Sequence, residues 1–264
     1  MDGDNLTRIF SLKNESQYSS ISNLIFVNGK YTIGSAVYVT SKHVLVDNCT
    51  FKNNHGTYNG GGAFATPLDT QASEDLTIKN CIFTGNWAPT NSGALACFSI
   101  NFKIINTLFE NNYATNNEGR KGYAGALEAG MKGSYGLIYN CTFRNNFAKS
   151  DNTTEPSYGG AALLREGSVF ENCIFINNTA HKGGAITVIS NGTIKNSTFI
   201  ENSAENGGAI YADQPFTITK SIFKSNHALT NGGGIYNSGN LLVENSIFTD
   251  NYASNRVLDL LKEI

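Results

Sequence analysis

From residue 44 to residue 253, an apolar residue, a phenylalanine, an asparagine and an alanine return in fixed order among polar positions. The phenylalanines are Phe51, Phe83, Phe109, Phe143, Phe175, Phe199, Phe223 and Phe248. Five residues before them stand Val46, Ile78, Ile104, Ile138, Phe170, Ile194, Ile218 and Val243. Three after them stand Asn54, Asn86, Asn112, Asn146, Asn178, Asn202, Asn226 and Asn251. Three before, the residue is Asn in every copy except Lys220, and five after it is Ala in every copy except Gly56. A Gly-Gly-Ala-apolar run closes the better copies, as in Gly183–Ile186. Five aligned columns make an internal repeat, and the shortest phenylalanine spacing, 24 residues, is its unit.

A unit of that length cannot bury an apolar face alone, so the units must stack. Inside each, apolar and polar residues alternate with period two, as in Thr217-Ile218-Thr219, and Gly or Asn interrupts the alternation every few residues. That is strand chemistry punctuated by turns. The expected fold is an all-β, single-stranded, right-handed parallel β-helix, a solenoid of about nine coils with three short strands each. At one strand spacing per coil the rod is about 45 Å long. Its phenylalanines stack inside, and its two Asn columns mark bends, where Asn tolerates the left-handed conformation and amides bond along the axis. The chain reads as one domain over 1–264: a partial first coil in 1–22, coils over 23–253, and a cap or tail in 254–264. In the last segment Val257, Leu260, Leu261 and Ile264 fall on one face of a short helix behind Asn255 as N-cap, which predicts a lid. Insertions at Thr57–Gly61, Thr66–Asp75, Thr115–Ala124 and Lys149–Gly159 lengthen four coils.

Sparse charge, with Asp, Glu, Lys and Arg at 15%, and a net charge of -2 argue against a nucleic-acid partner. No apolar run is long enough for a membrane span, so no membrane insertion is expected. Cys49, Cys81, Cys141 and Cys173 occupy a column that elsewhere holds Thr107, Ser197, Ser221 and Ser246, so the site wants a small side chain and the thiols are read as reduced and buried, with disulfides Cys49–Cys81 and Cys141–Cys173 between successive copies as the alternative. Without a C-x-x-C pair no zinc site is expected. His55 and His227 share a column several coils apart, so no metal or other cofactor is expected.

The pairing of F-x-x-N with G-G-A-apolar, as in Phe175–Asn178 with Gly183–Ile186, resembles the repeats of chlamydial polymorphic outer-membrane proteins. The unit Leu242–Ala253, after Gly233-Gly234-Ile235-Tyr236-Asn237, looks like adhesin-like surface proteins of methanogenic archaea. The opening Asp2-Gly3-Asp4-Asn5 with Arg8 and Phe10 is similar to the start of such domains. The resemblance implies a right-handed β-helix of the pectin-lyase type and a cell-surface or extracellular location. Signal and anchor would then lie elsewhere on a longer polypeptide.

Enzymes built on such solenoids need paired carboxylates, or acidic calcium ligands beside a base. The outward positions of the Gly-Gly-Ala strands hold Glu128, Arg165 and neighbouring Glu166 without a patterned cluster, which predicts solvated charges. Recognition remains. Corner insertions are where repeat scaffolds carry binding surfaces, and here they hold Tyr58, Tyr123, Tyr158, Arg120, Lys121 and Asp151, flanked by Trp87 and Tyr113. The functional expectation is a non-enzymatic, adhesin-like domain, a monomer or part of a longer chain, binding a cell-surface glycan or protein through these residues. The alternatives are a carbohydrate-active lyase, hydrolase or epimerase, and a structural spacer.

Overall fold

The period-two alternation becomes strands of two to five residues, each ended by a residue that can turn the chain. The coil around Phe199 is representative: Gly192–Lys195, Thr198–Ile200, Ser203–Asn206 and Ile210–Ala212. The structure is a computed structural model and describes residues 1–58, 60–68, 73–116, 122–131, 133–150 and 155–254. Asn255, with the apolar face predicted to form a lid, lies outside the described residues.

Corresponding strands of successive coils pair side by side, all parallel, in three nine-stranded sheets. An aliphatic sheet runs from Ser20–Ser22 to Leu241–Glu244. A phenylalanine sheet runs from Ile25–Val27 to Ile247–Thr249. A glycine–alanine sheet runs from Phe10–Leu12 to Ile235–Asn237. The nine coils and three expected strands are therefore present. A fourth, narrower ladder runs along the alanine corner: five strands from Lys30–Tyr31 to Phe147–Ser150, then three from Ser203–Asn206 to Tyr252–Ala253, joined through single bridges at Thr179.

Register follows the sequence columns, with Phe175 beside Phe199 and Phe199 beside Phe223. The rings stack in one file from Phe26 to Phe248, adjacent centroids 4.5–5.1 Å apart. All but Phe248 at the terminal rung are fully buried. Each contributes about 1.5–3 kcal/mol by burial and about 0.5–1.5 kcal/mol more per stacked pair. The aliphatic column and the glycine–alanine sheet complete one continuous core.

The two asparagine columns do different work. The upstream one, exposed, takes the left-handed conformation at every bend, as at Asn80 (φ 54°) and Asn140 (φ 51°), and its amides bond outside the wall, Asn140 Nδ2 to Asn106 Oδ1 at 2.8 Å. The downstream column turns inward and is not itself left-handed, contrary to the expectation. That conformation falls on the residue before it, as at Asn145 and Glu201. The buried amides are fully used. Asn178 Nδ2 donates to Asn202 Oδ1 (3.0 Å) and to the Phe143 carbonyl (3.0 Å), while its Oδ1 accepts the backbone N–H (2.9 Å) and Nδ2 (3.1 Å) of Asn146. A primary amide has two donors and two acceptor sites, and here all four are satisfied without water.

All five cysteines are buried and unpaired. The column of Cys49, Cys81, Cys141 and Cys173, which Cys97 does not share, demands a small group that bonds backward: Ser197 Oγ donates to Lys195 O at 2.7 Å and accepts the Cys173 N–H at 3.1 Å. The thiols follow suit, Cys81 Sγ to Lys79 O at 3.0 Å. A hydrogen bond with Cys49 and then burial raise the Cys81 thiol, and burial pushes Cys97 up to about 12. The hydrogen bond with Cys81 lowers the Cys49 thiol to about 7, but every cysteine is at most 1% exposed, so access rather than thiolate fraction limits attack. Native protein should therefore resist an aromatic disulfide reagent at pH 8, and all five thiols should titrate once it is unfolded. Rapid labelling of the native state would contradict this burial.

Candidate functional site

The narrow corner ladder carries on its outer side the residue four after each core phenylalanine. Its rungs are His55, Trp87, Tyr113, Phe147, Thr179, Ser203, His227 and Tyr252 in succession. The first four rings stack continuously: His55 on Trp87 (3.4 Å), Trp87 on Tyr113 (5.7 Å) and Tyr113 on Phe147 (4.9 Å). Burial first and Lys30 second push His55 down to about 4, so a neutral imidazole meets the indole. The stack resumes with His227 on Tyr252 at 4.4 Å. Between the two stacks Thr179 and Ser203 supply no ring.

Interrupting the ladder for two rungs leaves a concavity of about 880 Å³. Phe147 lies at one end and His227 at the other, with Leu229 beside them, and Lys149, His181, Glu205, Asn145 and Asn177 stand round it. Three rung spacings separate the terminal rings, about 14 Å. His181 is fixed from beneath, its Nδ1 2.7 Å from the buried Ser157 Oγ, which also donates to Ala148 O at 2.7 Å. Stacked rings show solvent only their edges, whereas a ring next to a gap keeps one face clear of other rings. Phe147 and His227 are in that position.

Of the residues singled out by sequence, Trp87 and Tyr113 lie inside the first stack with both faces taken by rings. Tyr58 is exposed near its start, and its carbonyl accepts from Thr90 Oγ1 at 2.8 Å. Tyr123 and Tyr158 pair with each other at 5.5 Å along a separate outer file. That file continues through Lys182, whose ammonium lies 5.5 Å from the Tyr158 ring and 4.6 Å from that of Tyr211. Arg120, Lys121 and Asp151 lie outside the described residues. The structure thus gathers the tyrosines into two files rather than one patch. The concavity was missed, although reading down the fourth column after each phenylalanine exposes two small residues in a run of rings.

The glycine–alanine sheet differs from expectation. Its outward positions, on which solvated charges are expected, are covered: Ala65, Ala96, Glu128, Leu163 and Thr187 are buried. Ala65 and Ala96 lie with Phe98 and Met131 in a small second core, against which Ile33 and Tyr38 pack. Glu128 is therefore fully buried and not a solvated charge, with Ala96 on the adjacent rung and Leu68, Phe98 and Arg165 lining the space beside it. Arg165, one coil on, reaches it with Nε at 2.8 Å and Nη2 at 2.5 Å, both on Oε1. Burial raises the Glu128 carboxyl, and Arg165 opposes that rise. Glu166 lies beyond Arg165, in a neighbouring hollow of about 340 Å³ with Leu68 and Met131.

Among the described residues no three His, Cys, Asp or Glu side chains gather to hold a metal ion, and no helix is long and apolar enough to cross a membrane. A family model described as the right-handed β-helix region matches residues 106–254, more than half of the chain. Comparison with curated proteins and with solved structures returned no match.

Proposed function

The chain belongs to the right-handed β-helix family, and from that premise we propose a non-enzymatic, adhesin-like binding domain displayed outside the cell, whose ligand is a glycan. The resemblance of its F-x-x-N and G-G-A-apolar repeats to those of surface proteins supports the location. One observation carries the binding reading: the outer aromatic ladder breaks for two rungs, leaving Phe147 and His227 facing each other across the concavity. A pyranose has an apolar C–H face and a hydroxyl edge. The faces suit the terminal rings, and the edges suit the amine, carboxylate, imidazole and amides at the rim. The domain would act alone or as part of a longer chain.

The test is to complete the ladder. Thr179→Tyr with Ser203→Tyr places rings where neighbouring coils already carry them, so folding should persist. On a glycan array, wild-type binding should fall at least tenfold in this double variant, a loss of about 1.4 kcal/mol. Undiminished glycan binding by the filled variant would count against the concavity. Absence of any glycan ligand, with capture by a protein partner instead, would count against the ligand class. Product release from a polysaccharide panel would count against a non-enzymatic role.

A further inference from the structure

We infer a second ligand site on the glycine–alanine sheet, at Glu128, for a small neutral ring bearing a hydroxyl group. Three independent features meet there. Glu128 is fully buried. Both Arg165 contacts fall on one carboxyl oxygen, and Oε2 has no hydrogen-bond partner among the described residues. Glu128 lines a cavity of about 220 Å³ whose apolar walls include Ile33, Tyr38, Leu68 and Phe98, with Thr66, Asn91 and Arg165 the other polar side chains. Buried polar atoms are almost always satisfied, so a bare carboxyl oxygen beside an apolar hollow marks where a ligand's polar end would go.

Charge and stoichiometry define the class. Arg165 already balances the carboxylate, so a cationic ligand would meet the guanidinium's repulsion, and an anionic one would meet the carboxylate's. A hydroxyl both donates and accepts. It can therefore pair with Oε2 whether the carboxyl is ionised or, as burial favours, protonated. An ammonium can only donate and a carboxylate ligand can only accept. The mostly apolar walls suit one hydroxyl on a hydrocarbon ring and would leave most hydroxyls of a sugar unpaired. This separates the site from the glycan concavity, which lies on another sheet and shares no residue with it.

Titration of ¹⁵N-labelled protein with cyclohexanol, cyclohexylamine, cyclohexanecarboxylate and glucose, reading the Arg165 Nε–H resonance, tests the assignment. Cyclohexanol should move that resonance saturably and bind at least tenfold more tightly than the other three. Ala96→Leu, which narrows the cavity from the rung beside Glu128 while leaving the Glu128 and Arg165 side chains unchanged, should abolish the shift. Glu128→Leu should remove the preference for the alcohol, read by ligand-observed saturation transfer. No shift with any probe, equal binding of all four, tighter binding of glucose, or a cyclohexanol shift that survives Ala96→Leu would each overturn the inference.

Discussion

Asn178→Ala should destabilise the protein by about 4 kcal/mol or more, although it removes only an amide from a chain rich in asparagine. The substitution strands the Asn146 backbone N–H and one Nδ2 proton, both of which bond to Asn178 Oδ1, together with the Phe143 carbonyl. Each buried orphan costs about 1–3 kcal/mol, and the total is a large fraction of the 5–15 kcal/mol typical of a whole domain. Asn196→Ala is the control. Asn196 is exposed, sits at φ 44° and bonds to Asn172 Oδ1 at 2.6 Å. Losing it should cost about 1–2 kcal/mol, chiefly because alanine is less at ease in the left-handed conformation. Urea midpoints of the two variants measure the difference directly, and equal shifts would refute the distinction between inner and outer columns.

Gly184→Ala should be worse still, leaving little soluble native protein. A methyl group at Gly184 would collide with the carbonyl oxygen of Gly208 in the next coil and stand 2.6 Å from both the nitrogen and the oxygen of Ser203. These are backbone atoms held in the ladders, so the coils must separate or the wall must kink. A cost beyond 4–5 kcal/mol belongs to this kind of mechanism. Gly133 offers the opposite case: its φ is +79°, yet a methyl there meets nothing within 4 Å. Gly133→Ala should cost only about 1 kcal/mol of backbone strain. Yield and melting temperature of the two variants separate steric exclusion from conformational preference, and a well-folded Gly184→Ala would show that the corner is looser than drawn.

These expectations explain which parts of the molecule were legible beforehand. In a solenoid of this kind, a side chain meets its own counterpart one rung away. Selection for self-complementary groups therefore writes the contact map as repeated letters, and the Phe199 stack and the Asn202 amides could be read from identity alone. The bend next to Asn202 was less legible. The left-handed residue is the one before it, Glu201, and its column varies among Asn, Gly, Glu, Ser and Asp. The candidate concavity was legible only by subtraction, from Thr179 and Ser203 among rings. The Glu128 cavity was not legible: Tyr38, Ala65, Ala96 and Glu128 share one column of unlike residues, and the approach of Leu68 and Phe98 depends on how individual turns fold back over the sheet.

The central claim is that successive units lie in register along one axis at a constant step. Ile25, Ile174 and Ile247 project outward from the phenylalanine sheet and are exposed. They stand five and then three rungs apart. Nitroxides attached at cysteines placed there in pairs, with the buried native thiols unreactive, should give electron–electron distances of about 24 Å for Ile25–Ile174, 14 Å for Ile174–Ile247 and 38 Å for Ile25–Ile247. The two shorter distances should add to the longest, as points on a straight line must. An end-to-end distance well below that sum would mean that the units do not stack in single file.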